Sequence, residues 1–200
     1  IVAISHDHFD HLNWNTIEEL PDDTHFYVPL GVEKDFPSRF SQVTGMDWYT
    51  SDTLDDLKIT FLPANHRSGR SLNNGNKTLW GGWLFEWKGR RIYFAGDTGY
   101  SDVFKDIHKK LGRIEICMMP IAAWFQRHWH FAPEDAICAA QDLDCKFFIP
   151  WGYGTWIISY EHILEPLRRL RYSWKQIEPK NMELRVLKMG ETSLFETNGR

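Results

Sequence analysis

The sequence predicts an α/β domain of layered sheets with helices on the outside. Short apolar runs of strand type alternate with helix-length stretches, and each apolar run stops at a polar loop. A chain of 200 residues is also long enough to bury a core of its own, so residues 1–200 are expected to form a single domain.

Taken in order, Ile1 to Ser5 reads as a buried strand, and Asn15 as the N-cap of a short helix through Leu20. His25 to Pro29 is the next expected strand. Leu57 to Leu62 alternates like a half-buried strand and stops at Pro63, where a loop containing His66 begins. Thr78 to Trp87 and Arg91 to Ala95 read as two strands joined by a three-residue turn, Lys88-Gly89-Arg90, after which comes Gly96-Asp97-Thr98-Gly99. Ser101 caps a helix reaching Leu111, and Ile114 to Met119 is a strand ending at Pro120. Pro133 suits the first turn of a helix running to Leu143, because the N–H it lacks is not needed there. Lys146 to Ile149 is a strand and Glu165 to Tyr172 a short helix, whose Arg168, Arg169 and Arg171 read as a solvated face.

Composition narrows the function. With 23 Lys+Arg against 27 Asp+Glu and a net charge of -4, the chain has no basic surplus to neutralise a phosphate backbone, so nucleic acid is not the expected partner. No run of about 18 apolar residues could span a bilayer, and no basic segment leads into a short apolar stretch at the start. The expected location is cytoplasmic, with peripheral contact at a membrane as an option. Cys117, Cys138 and Cys145 are odd in number and form no C-x-x-C pair, which predicts reduced, structural thiols. Aromatics make up 15% of the chain, ten of them Trp, and most should be core. The cluster from Trp124 to Phe131 has a second reading, an apolar mouth for a greasy substrate.

The sharpest signal is His6-Asp7-His8-Phe9-Asp10-His11, directly after an apolar strand. Imidazole and carboxylate suit zinc, manganese and iron, and an H-x-H-x-D-H spacing in a tight loop aims alternate side chains at two neighbouring points. Such a site needs ligands from distant loops. His66, after the strand ending at Leu62, and Asp97, in a glycine-flanked turn after the strand ending at Ala95, are the candidates.

These segments resemble the metallo-β-lactamase superfamily, and within it the branch of N-acylphosphatidylethanolamine-hydrolysing phospholipases D. The finer likeness rests on Val28-Pro29-Leu30-Gly31, Lys77 to Gly81, Phe94 to Tyr100, His130-Phe131-Ala132-Pro133-Glu134, Ile149-Pro150-Trp151-Gly152 and Glu161 to Pro166. The resemblance implies an αββα sandwich with one or two zinc ions at one edge, manganese or iron being alternatives. His6, His8 and His66 would hold the first metal, Asp10 and His11 the second, and Asp97 would lie between them. The implied chemistry is attack by hydroxide on a phosphodiester of a small molecule or phospholipid. Asp10 would orient that nucleophile or take its proton, and His130 would contact the phosphate or aid the leaving group.

The pattern breaks in two places. Where the family carries a last ligand His, this chain has Pro150, which cannot coordinate, and Tyr153-Gly154 lengthens the loop that follows. A weakened two-metal hydrolase, a one-metal lactonase or carboxylic-ester hydrolase, and a binding module without turnover all remain open. Tyr153 or His162 could replace the lost ligand, although packing is the plainer role for Tyr153, while His25, His108 and His128 read as surface histidines. Family members also place several strands before the His cluster, so the sandwich is expected to lack its amino-terminal strands, with this chain a piece of a longer protein.

Overall fold

The computed structural model describes residues 1–195 apart from 72, 123 and 158. Its strands form two sheets. The smaller, in the order β1-β2-β3, joins β1 (Val2–Ala3), β2 (Phe26–Pro29) and β3 (Val43–Met46), all parallel. The larger contains β4 (Ser51–Leu54), β5 (Leu57–Pro63), β6 (Gly81–Trp87), β7 (Arg90–Phe94), β8 (Ile116–Pro120), β9 (Phe147–Trp151) and β10 (Glu183–Leu184), in the order β10-β9-β8-β7-β6-β5-β4.

The helices are α1 (Trp14–Glu18), α2 (Val103–Leu111), α3 (Pro133–Asp142) and α4 (Glu165–Ile177), with 3-10 turns at Val32–Asp35 and Trp124–Gln126. Because β7 to β10 run parallel, each connection between them must cross over, and α2, α3 and α4 are those crossovers.

Period-two alternation sets the layers. Ile59, Phe61 and Trp83 face Tyr27 and Met46 of the small sheet, while Leu62, Leu84, Tyr93, Cys117 and Met119 face the other way into a core shared with Phe104, Ile107, Ile137 and Leu170 of the helices. Ile17 of α1 packs with Phe26 and Val28 on the outer face of the small sheet. The result is the expected αββα sandwich. The opening strand of the small sheet is tied to the large one by Trp83, whose buried indole N–H donates to the Ile4 carbonyl at 2.9 Å, and by Gly81 N–H, which donates to the Ser5 carbonyl at 3.0 Å.

Several boundaries move from expectation. The α1 cap is Asn13, whose side chain accepts the Thr16 N–H at 3.1 Å, because the helix already begins at Trp14 and leaves Asn15 inside it. Trp87 pairs with Arg90, so the β6–β7 turn has two residues rather than three. The helix from Glu165 runs on to Ile177 because Trp174 and Ile177 still reach the core. Arg169 on it is not a solvated face: it makes a bidentate ion pair with Glu134 of α3, at 3.0 and 2.5 Å, and lies over the Trp124 ring. Cys117 and Cys145 are not reduced thiols but a joined pair. Their Cα atoms are 6.2 Å apart because β8 and β9 lie side by side, an adjacency that the 28-residue spacing hides. No helix among the described residues is long and apolar enough to cross a membrane.

The Trp83 contact yields a stability test. Trp83→Phe keeps most of the ring but leaves the buried Ile4 carbonyl without its donor, which should cost about 1–3 kcal/mol in urea unfolding. Trp87→Phe, at a half-exposed ring, should change stability by less than about 0.5 kcal/mol.

Candidate metal centre

Strand direction decides which loops meet. β5 is antiparallel to β6 and β6 to β7, so β5, β7, β8 and β9 all point the same way and their carboxyl ends share an edge. The loops carrying His66, Asp97 and His130 leave from that edge, and the loop after β1 arrives there with His6, His8 and His11.

Within the opening loop, alternate residues do different jobs. His6 is buried, and its Nε2 stands 2.9 Å from His8 Nδ1, which is itself 3.3 Å from His66 Nε2. Asp7, between the two histidines, points the other way. Its carboxylate accepts the Gly69 N–H at 2.6 Å and the Thr78 hydroxyl at 3.1 Å, while Arg70 donates to the carbonyls of Asp7 and Leu12. It therefore anchors the loop against residues 69–78 and is no ligand. Thr78, expected as the first residue of a strand, serves this anchor instead, and the strand begins at Gly81.

The second group centres on Asp97. His11 Nε2 lies 3.1 Å and His130 Nδ1 3.6 Å from its Oδ2. Asp97 reaches this position because Gly96 takes a φ of +63°, and any Cβ there would stand 2.6 Å from the Gly81 carbonyl oxygen. The Asp97 turn is fastened to the His66 loop by a bridge between Asn65 and Gly99, in which Gly99 N–H donates to the Asn65 carbonyl at 2.8 Å and Thr98 Oγ1 accepts the Asn65 N–H at 3.0 Å.

Three sets of donors converge among the described residues, with the atoms of each set within 4.8 Å of one another: His6, His8 and His66; His6, His11 and Asp97; and His66, Asp97 and His130. Asp10 joins none of them. It is 71% exposed and touches the cluster only through His11 Nε2, at 3.6 Å. Pro150 lies buried in β9, paired with Met119, and offers no donor. Tyr153 packs against the core, as the plainer reading had it, and His162 Nδ1 accepts the Leu164 N–H at 3.3 Å, so neither replaces the missing ligand.

The protonation states suit a cation. Burial pushes the pKa of His6 far down and that of His66 down to about 4, and it also lowers those of His8 and His130, so these rings are neutral near pH 7. For Asp97 burial works the opposite way, but the hydrogen bond and charge of His11 outweigh it and hold the carboxyl well below the usual range. His11 in turn is raised, since Asp97 outweighs the cost of burial.

The tautomer of His66 is fixed as well. Its Nδ1 faces the Trp129 carbonyl at 3.0 Å and must donate, which leaves the Nε2 lone pair aimed into the cluster. Neutral imidazoles facing one another in this way can turn their lone pairs to a cation between them. Two nitrogens about 2.0–2.1 Å from one tetrahedral zinc stand about 3.3 Å apart, close to the separations seen here, so the residues present fit a divalent metal.

Backbone acceptors leave no residue signature, so the supporting carbonyls of His128 and Trp129 could not be read from residue types. Asp7, which was no candidate, is a tether, whereas Asp10, expected as a ligand, joins no donor set among the described residues. The expected apolar mouth is smaller than the run of aromatics suggests. Phe131 is wholly buried in the core and Arg169 covers Trp124, whereas Phe125 stays half-exposed beside the highly exposed Tyr160.

Comparison with known proteins agrees with this architecture. Residues 1–153 match the family described as Beta-lactamase superfamily domain. The chain is 36% identical over 180 residues to an uncharacterized protein of Mycobacterium tuberculosis, covering 84% of this chain and 48% of that one. It is 32% identical over 188 residues to N-acyl-phosphatidylethanolamine-hydrolyzing phospholipase D 1 of Caenorhabditis elegans, covering 84% and 53%. The chain thus spans about half the length of the curated relatives it matches. Among solved structures, Igni18, a metallo hydrolase from Ignicoccus hospitalis, superposes with a TM-score of 0.75 at 23% identity over 98% of this chain and 80% of that one. CmlA, a diiron β-hydroxylase from Streptomyces venezuelae, gives 0.68 at 14% identity over 94% and 44%. By its sequence match, its layered sheets and the histidine-rich loops along one sheet edge, the chain belongs to the beta-lactamase superfamily.

Proposed function

We propose that this chain is a metal-dependent hydrolase acting on a phosphodiester, in a small molecule or a phospholipid, through one or two divalent cations. The observation that carries the reading is the convergence of His6 Nε2, His8 Nδ1 and His66 Nε2 in a buried, neutral cluster beside an ionised Asp97. In this reading His6, His8 and His66 hold the first metal, His11 and Asp97 serve the second, and zinc, manganese and iron all suit the donors. A metal bound there supplies Lewis acidity toward the phosphoryl oxygens and makes water acidic enough to attack near neutral pH.

The chain's own residues do the remainder. In this reading Asp10, exposed beside His11, would accept the proton of the attacking water. Asp7 and the Trp129 carbonyl keep the imidazoles aimed, and the half-exposed Phe125 offers apolar surface to an acyl chain. The phospholipase D relatives in Caenorhabditis elegans and yeast favour a lipid substrate and hence contact with a membrane surface.

A second reading, a one-metal lactonase or carboxylic-ester hydrolase, draws on Pro150 and on the absence of Asp10 from every donor set. Under it the first cation alone would act on a carbonyl; a module that binds metal without turnover is the limiting case. Side-by-side assays with a long-chain phosphodiester, a short soluble phosphodiester and a lactone distinguish these readings. The phosphodiesterase reading expects turnover of a diester above the lactone, a loss of at least about a hundredfold in kcat/KM in His66→Ala, and a larger loss on the long-chain than on the short diester in Phe125→Ser. Faster lactone turnover favours the second reading, no turnover with metal bound favours the module, and equal losses in Phe125→Ser remove the lipid version.

Burial also gives the metal-free protein a pH signature. His66 has a folded pKa of about 4 against an ordinary 6.5, so between those values the unfolded chain binds more protons and stability falls as pH falls. His6 acts in the same direction and His11 in the opposite one. His66 alone contributes a loss on the order of 3 kcal/mol across that window. Calorimetry of chelated protein should show Tm dropping from pH 7 toward 4.5, with a shallower slope in His66→Gln; an unchanged slope in the variant contradicts the assignment.

A further inference from the structure

We infer that His130 is a metal ligand, supplying its Nδ1 to the cation held at Asp97 and so completing a second metal position. The inference rests on the metal-dependent reading above and deepens it, since it sets the number of cations at two.

The geometry around one oxygen carries the case. Asp97 Oδ2 is approached by His11 Nε2 at 3.1 Å and by His130 Nδ1 at 3.6 Å. A separation of 3.6 Å is too long for a hydrogen bond, so the His130 ring is not held there by Asp97 directly. It is, however, the separation expected of two donors that share a cation. Atoms each about 2.0–2.2 Å from one zinc stand about 3.0–3.6 Å apart over the usual range of angles. With His130 included, the cluster offers six distinct donor residues in overlapping sets, and His130 enters through the set of His66, Asp97 and His130, whose donor atoms all lie within 4.8 Å of one another.

The ring is also built into its place. Its side chain is 18% exposed, and the main chain of its segment is tied to the loops that bear other donors. The Trp129 carbonyl accepts from His66 Nδ1 at 3.0 Å, and the His128 carbonyl accepts from Asn65 Nδ2 at 3.2 Å. On the far side, Asp135 accepts the Ala132 N–H at 3.1 Å and pairs with Arg127 in bidentate fashion at 2.7 and 2.6 Å, which fastens the segment to the first turn of α3. These bonds are to the main chain, so the segment and the His66 tautomer stay in place when only the His130 side chain is replaced. Sequence reasoning gave His130 a part at the phosphate or the leaving group; the nitrogen that faces the cluster is Nδ1, directed at Asp97 rather than outward.

The test is isothermal titration of the chelator-stripped chain with zinc alone, paired with cobalt(II) absorption spectra, for the wild type, His130→Ala, His130→Gln and His66→Ala. The wild type should take up two equivalents. His130→Ala and His130→Gln should keep the first and lose the second or bind it at least about tenfold more weakly, with an altered cobalt spectrum. Chelated melting curves matching the wild type in at least one of these variants assign the loss to ligation rather than folding. His66→Ala should instead lose the tighter step. If the His130 variants titrate and absorb like the wild type while turnover falls, His130 acts on substrate and the inference fails alone. A wild type that takes up a single equivalent, retained in the His130 variants, also overturns it while leaving the hydrolase reading in place. A wild type that binds no zinc overturns both.

Discussion

Burying several imidazoles against one carboxylate is the constraint on which the rest of this structure depends. Groups that would each be solvated in water are held at a sheet edge, where burial keeps His6 and His66 neutral and the charge of His11 keeps Asp97 ionised. Such an arrangement persists only if the backbone carrying each ring cannot relax away. The fold meets that demand through strand ends: Trp83 and Gly81 fix Ile4 and Ser5, Asp7 ties the opening loop to residues 69–78, and the Asn65–Gly99 bridge joins the His66 loop to the Asp97 turn.

The tethers explain why the loops differ in composition. The opening loop is rich in donors because alternate positions point inward to His66 and outward to Gly69 and Thr78. The segment between β8 and α3 contributes carbonyls as much as side chains, so its aromatic residues divide between core, cover and rim. Phe131 fills the core, Trp124 lies under Arg169, and Phe125 is left at the surface.

Much of the fold could be read from the sequence because its signals are local. The apolar run at Leu57 to Leu62, the Pro133 helix start and the strand before Gly96 each carry their own pattern; layered sheets with helices outside follow from their alternation, and the αββα order from the family resemblance. The short strands β3, β4 and β10 went unread because Val43–Met46, Ser51–Leu54 and Glu183–Leu184 lack an apolar alternation of useful length and exist through their partners. The cysteine pairing was missed for the same reason, since only the adjacency of β8 and β9 brings Cys117 to Cys145. At the site, the ligand candidates His6, His8, His11, His66 and Asp97 were legible as residue types at strand ends. Asp10 was read as equal to its neighbours, yet the turn leaves it exposed, and the position of His130 depends on backbone contacts that no sequence pattern announces.

The central claim, that side chains far apart in the chain converge on a common cation, is tested most directly by anomalous diffraction at the zinc edge from crystals grown with zinc. The account expects a peak within about 2.3 Å of His6 Nε2, His8 Nδ1 and His66 Nε2 together. A zinc-loaded crystal whose peaks all lie elsewhere, with His66 turned away from the opening histidines, would contradict it.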